Sequence, residues 1–222
     1  MQAARVVALI VGTLSLSRVS SAQTQAAPPL GSSAPASAHP TDAFAVLRPA
    51  APVGQNVPAR GSSVPAGRAT VTVHAPYASV TAVATDFEHF REVFPQLAET
   101  RVIHRRRGGV TDVYVRVELL DGLGALWAMV RFTTRRTADA TVVSGVLLHG
   151  TVRRFDFHLE VRRDSAEPAR TAVALQLLGV PGFYVPGGLL ARQQLQWALR
   201  GIAALRQRAE LPVPTAARAA VP

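Results

Sequence analysis

Beyond residue 110 the chain alternates. Val113, Val115, Val117 and Leu119 are separated by Tyr114, Arg116 and Glu118, and Phe155, Phe157, Leu159 and Val161 are interleaved with Arg154, Asp156, His158, Glu160 and Arg162. Successive side chains of a strand point to opposite faces, so a period of two predicts a sheet with one apolar and one wet face. Residues 97–107, 126–136, 141–149 and 171–178 are strand-like with looser alternation. The breaks at Arg107-Gly108-Gly109, Asp121-Gly122, Ala138-Asp139 and residues 165–168 have the spacing of an antiparallel meander. Ahead of the meander, residues 69–74 carry the β-branched alternation of a first strand. The period then lengthens. Residues 77–84 read as a helix behind Pro76, and residues 87–94 as a second short helical piece that Pro95 ends, with Asp86 expected to cap it.

After Gly187-Gly188 a helical period runs from about 189 to 210. On a wheel, Leu190, Ala191, Leu195, Trp197, Ala198, Gly201, Ile202 and Leu205 share one broad face, with Arg192, Gln193, Gln196, Arg200 and Gln207 opposite. A sheet with one apolar face and a helix with one apolar face cover each other. The expected architecture is therefore α+β: a curved antiparallel sheet of about seven strands wrapped around a long C-terminal helix, with two short helices after the first strand. Ala198 and Gly201, facing Val117 and Phe157, either leave a void or permit close packing. Gln194, pointing to the same side, either orients a ligand or bonds a backbone carbonyl.

Residues 68–210 thus form one domain, and the flanks differ from it. Residues 1–22 have the layout of an export signal: Arg5, an apolar run from Val6 to Leu16, and Ser20-Ser21-Ala22 as a cleavage site, which predicts a periplasmic or extracellular protein beginning at Gln23. Residues 23–67, rich in Ala, Pro, Ser and Gly, are expected to be a disordered linker, interrupted by the apolar patch 43–47, and residues 211–222 a flexible tail. The chain contains no Cys, which excludes disulfides and thiolate metal sites, and its formal charge is +10 with every basic residue an Arg. Such an excess favours an anionic partner or is simply solvated.

The order strand, two short helices, six strands and long helix is the helix-grip arrangement, and the segment Thr85-Asp86-Phe87-Glu88-His89-Phe90-Arg91-Glu92-Val93-Phe94-Pro95 resembles an early pattern of Asp, aromatic, aromatic and Pro. Together they resemble the START-like (SRPBCC) superfamily, in its polyketide cyclase or coenzyme Q-binding branch. The resemblance implies a cavity between helix and sheet that takes a lipid, quinone or polyketide-like molecule. It does not imply a reaction.

Motifs for phosphate, dinucleotide, zinc or a serine nucleophile are absent, and the six His show no metal-ligand spacing, so no catalytic residue, metal or cofactor is assigned. Asp156 and His158 share the polar face of their strand and read as solvated charge. The candidate ligand wall is Phe90, Phe94, Val115, Val117, Phe155, Phe157, Tyr184, Leu190, Gln194, Trp197, Ala198 and Gly201, entered through the loop 179–188. Arg105, Arg106 and Arg107 lie at a hairpin tip without interleaved aromatics, which suits an anionic membrane surface rather than nucleic acid. The leading expectation is a monomeric, noncatalytic binder or carrier. A cyclase or dehydratase, which would place several polar groups on the wall, and an interaction domain with a filled core are the alternatives.

Overall fold

The computed structural model describes residues 51–119 and 124–211. Among the described residues eight strands form one antiparallel sheet: β1 (Val53–Val57), β2 (Ala66–Val73), β3 (Leu97–Arg106), β4 (Val110–Leu119), β5 (Gly124–Arg136), β6 (Ala140–Gly150), β7 (Val152–Arg163) and β8 (Thr171–Pro181). Their spatial order is β1-β2-β8-β7-β6-β5-β4-β3. Between β2 and β3 the chain crosses from one end of the sheet to the other through α1 (Tyr77–Ala84), a 3₁₀ turn (Phe87–His89) and α2 (Phe90–Val93). The meander from β3 to β8 then brings it back beside β2. Register shifts at residues 97–99, 102–104, 129–130 and 152–154 bend the strands, as bulges do, and curve the sheet around α3 (Gly187–Glu210).

Two expectations are corrected here. The sheet has eight strands rather than about seven, and the extra one, β1, lies inside the segment expected to be a disordered linker. Only Val53 and Val57 of β1 are aliphatic, so nothing in its pattern announces a strand. It is held from outside, pairing with β2 from Val53 opposite Thr70 to Val57 opposite Ala66, and packing Gly54 under Leu195 and Leu199 of α3. The first predicted strand is β2, and it begins at Ala66. The export signal, residues 23–50, the patch 43–47 and residues 212–222 lie outside the described residues.

The interior is filled unevenly. Phe87, Phe90, Phe94, Phe132 and Phe157 interlock with ring centroids between 4.9 and 6.3 Å apart, under the C-terminal half of α3. That half buries Ala198, Gly201, Ile202, Leu205 and Ala209. Charge fixes its end. Arg208 donates to Asp86 at 3.1 Å and pairs with Glu92 at 2.7 Å, while the Glu210 carboxylate accepts from the His74 backbone N–H at 2.7 Å. Asp86 makes no side-chain capping bond. Its carboxylate faces His89 Nδ1 at 2.8 Å and Arg208 instead, because α3 supplies a stronger, charged donor than the free amides of a one-turn helix. That carboxylate raises the His89 pKa above its usual value, first through the hydrogen bond.

Candidate ligand cavity

The N-terminal half of α3 spans space rather than core. Beneath it lies a cavity of about 650 Å³, within the roughly 300–1,000 Å³ typical of small-molecule sites. Its inner end is the aromatic cluster, with Phe90, Phe94, Phe132 and Phe157 on the wall. β4 and β5 contribute Val115, Val117, Leu126 and Ala128, the inward positions of two adjacent strands. Phe155 and Leu177 come from β7 and β8, and Leu190, Gln193, Gln194 and Trp197 from α3. Phe183, Val185 and Leu189 form the mouth, and Phe183 and Leu189 are 50% and 57% exposed.

Nine of the residues expected on the ligand wall are brought together there: Phe90, Phe94, Val115, Val117, Phe155, Phe157, Leu190, Gln194 and Trp197. Three are not. Ala198 is fully buried in packed core, and Gly201 lies under the Phe94 ring, where a Cβ would collide with it and sit 3.3 Å from Leu175. The small residues therefore serve close packing, and the void lies about one turn nearer the start of the helix, because Phe94 occupies the space they leave. Tyr184 is 89% exposed and points away, while its neighbours Phe183 and Val185 turn inward. Gln193, placed on the solvent side by the wheel, lies on the cavity wall.

Gln194 is 1% exposed, and its amide is occupied. Nε2 donates to the Gly179 carbonyl at 2.5 Å, and Oε1 accepts from the Gly179 N–H at 3.2 Å, which ties α3 to the end of β8. A backbone pair held this way is a structural clamp. Gln96, which sequence reasoning passed over, lies on the wall with its Oε1 buried and without a hydrogen-bond partner among the described residues. The ionisable side chain on the described wall is Glu118, half-exposed and 3.5 Å from Arg116.

The other sequence candidates lie elsewhere. His158 belongs to a shallow crevice with Arg68 and Glu160. Burial lowers its pKa, so the ring is held toward its neutral form rather than as a solvated charge, and Asp156 pairs with Arg154 at 2.6 Å. At the β3–β4 tip, Arg105 pairs with Glu88 at 2.7 Å. Arg106 and Arg131 donate to Asp112, which is 3% exposed, with Arg131 Nε at 2.7 Å from Oδ1. The Arg131 hydrogen bond, outweighing burial and joined by Arg106, holds the Asp112 carboxyl at about 2. Two of the three tip arginines are thus engaged within the fold.

No protein-family model matches the sequence, and no curated protein matches it. Solved structures match the fold. A STAR-related lipid transfer protein from Xanthomonas axonopodis superposes with a TM-score of 0.59 at 18% identity, over 72% of this chain and 93% of that one. Human StAR-related lipid transfer protein 5 gives 0.58 at 8% identity, over 74% and 84%. The Zhui aromatase/cyclase from Streptomyces sp. R1128 gives 0.51 at 19% identity, over 68% and 97%. The chain has the START-like, helix-grip fold.

Proposed function

We propose that this protein binds a hydrophobic small molecule in the cavity between the sheet and the first half of α3, as a carrier or sensor without catalysis. One observation carries the reading: a cavity of about 650 Å³ whose described wall is aliphatic and aromatic apart from Gln96, Glu118, Gln193 and Gln194. Catalysis by acid–base or nucleophilic steps needs a titratable group inside a dry site. Here the carboxylate stands half in solvent beside an arginine, and the most buried amide is occupied by Gly179. Two of the neighbours in fold are named as lipid transfer proteins, which supports an apolar ligand, lipid-like rather than polar.

The test is a cavity block. Val117→Phe adds a ring at a half-buried wall position. Uptake of Nile red by the full chain should fall at least tenfold while the thermal midpoint stays equal or rises, since the ring enters empty space rather than packed core. Nile red that fails to bind the unmodified protein, or binds the variant equally well, refutes the reading. Native mass spectrometry of protein from its own compartment would then identify the extracted molecule.

Two finer readings belong to the same proposal. Exposed Phe183 and Leu189 stand at the cavity mouth, with Tyr184 exposed beside them, and suit a lip that touches a membrane while cargo enters; Arg105, Arg106 and Arg107 lie at the opposite end of β4 from the mouth and would not share that contact. Flotation with anionic vesicles should weaken in a Phe183→Ser, Leu189→Ser double variant; equal flotation of both proteins counts against the lip. The export signal read in residues 1–22 supports a periplasmic or extracellular carrier. A mature N-terminus other than Gln23, or full-length protein kept in the cytosol, would remove that assignment.

A further inference from the structure

We infer that Phe94 is the floor of the cavity and sets the length of its ligand, an extended apolar chain that enters end-on and stops against the ring; the inference rests on the cavity being a ligand site. The wall residues of α3 give the depth. Leu189 stands at the mouth, Gln193 one turn in and Trp197 one turn further, and Gly201 follows over the Phe94 ring. At about 1.5 Å per residue the helix advances about 18 Å from Leu189 to Gly201. An extended alkyl chain, advancing about 1.25 Å per carbon from bonds of about 1.5 Å, spans that depth with about 14 carbons. Glu118 is half-exposed and Gln193 lies two turns short of Gly201, so the end of the chain that reaches the floor is apolar.

Phe94 differs from the other rings of the floor in what stands behind it. Phe90, Phe132 and Phe157 lie against one another with centroids 5.4 to 6.3 Å apart. The Phe94 ring also backs onto α3 at Gly201, where an added Cβ would lie 2.8 Å from its Cδ1. Neither Gly201 nor the fully buried Ala198 has a side chain that could refill the ring's place, so a void opened there joins the cavity instead of closing. With helix backbone behind it, the ring has no room to step aside for a longer molecule. Its own backbone is held as well. The Phe94 N–H donates to the Phe90 carbonyl at 2.7 Å, the Leu97 N–H donates to the Phe94 carbonyl at 2.9 Å, and Pro95 confines the residue before it to extended conformations.

Competition against Nile red with straight-chain 1-alkanols from octanol to octadecanol tests this, because the series varies length at a constant head group. In the unmodified full chain each added methylene should tighten binding about fourfold while it is still buried, and the gain should stop where the chain meets the floor. In Phe94→Ala the gain should continue for about three more carbons, because the lost ring leaves a space that its neighbours only partly reclaim. Phe94→Leu, the milder variant, should extend the limit in the same direction by a smaller step. Leu205 is 1% exposed, one turn beyond Gly201 and absent from the cavity wall. Leu205→Ala therefore opens its void behind the ring and should weaken the core without moving the limit. A limit unchanged in both Phe94 variants, a limit moved equally by Leu205→Ala, an unmodified protein whose affinity rises through the whole series, or alkanols that never displace bound Nile red would overturn the role of Phe94 and leave the cavity reading intact. If Nile red does not bind the unmodified protein, the cavity reading falls and takes this inference with it.

Discussion

Replacing Gly67 by alanine should detach α3 from the sheet. Gly67 lies near the start of β2, opposite Leu177 of β8, and the backbone of α3 crosses directly over it. A Cβ built there would lie 2.6 Å from the Leu195 nitrogen and closer still to the Gln194 carbonyl group. A methyl carbon needs about 3.5–4.0 Å, so helix and strand must separate by about 1 Å. Neither side can yield locally, since the obstacle is main chain on both. A gap of that size forfeits a quarter to a half of the dispersion attraction across it, and the Gln194–Gly179 hydrogen bonds stretch with the helix. The expected loss is about 3 kcal/mol, the upper end of what overpacking usually does. Gly188→Ala is the control. It lies in the first turn of the same helix with no heavy atom within 4 Å of the added methyl among the described residues, and should stabilise by about 0.4–1 kcal/mol through reduced freedom of the unfolded chain. Urea unfolding of the full chain, followed by tryptophan fluorescence and far-UV circular dichroism, measures both. A Gly67→Ala midpoint equal to that of the unmodified protein would refute the claim that backbone contact seats α3.

Asp112 sets a pH dependence. Its carboxyl is held at about 2 in the folded chain against an ordinary 3.8, so between those values the unfolded state binds more protons and stability falls as pH falls. Discounted for two guanidinium groups that remain partly open to solvent, the contribution is about 1–2 kcal/mol, present above pH 4 and lost toward pH 2; an Asp112→Asn protein whose acid-unfolding curve kept the same slope in that window would refute it. Gln194→Leu should destabilise by about 2 kcal/mol, because it strands the Gly179 N–H and carbonyl. Amide hydrogen exchange at Gly179 should speed up in that variant, and unchanged protection there would show that the clamp is not what holds the end of β8.

What the sequence determined by itself follows from periodicity. The meander, the crossover through short helices and the long final helix were legible because a strand repeats every two residues and a helix every 3.6, and each must turn its apolar side to a common core. Val115, Val117, Phe155 and Phe157 could be placed on the inner face for that reason alone. Leu126, Ala128 and Phe132 were obscured because Trp127 and Met129 between them are also apolar, which erases the alternation. Tertiary structure decided the rest. β1 exists because β2 and α3 hold it, and its own five residues carry too little apolar surface to say so. The position of the cavity depended on one ring: Phe94 fills the space over Gly201, so the void opens one turn earlier along a helix whose sequence shows only a continuous apolar face. Arg106 could be read as a free charge until β4 and β5 placed Asp112 and Arg131 beside it. That Gln96 would be unpaired was invisible in the sequence, because being unpaired is a property of everything around a residue, and residues distant in sequence become neighbours only when the chain folds.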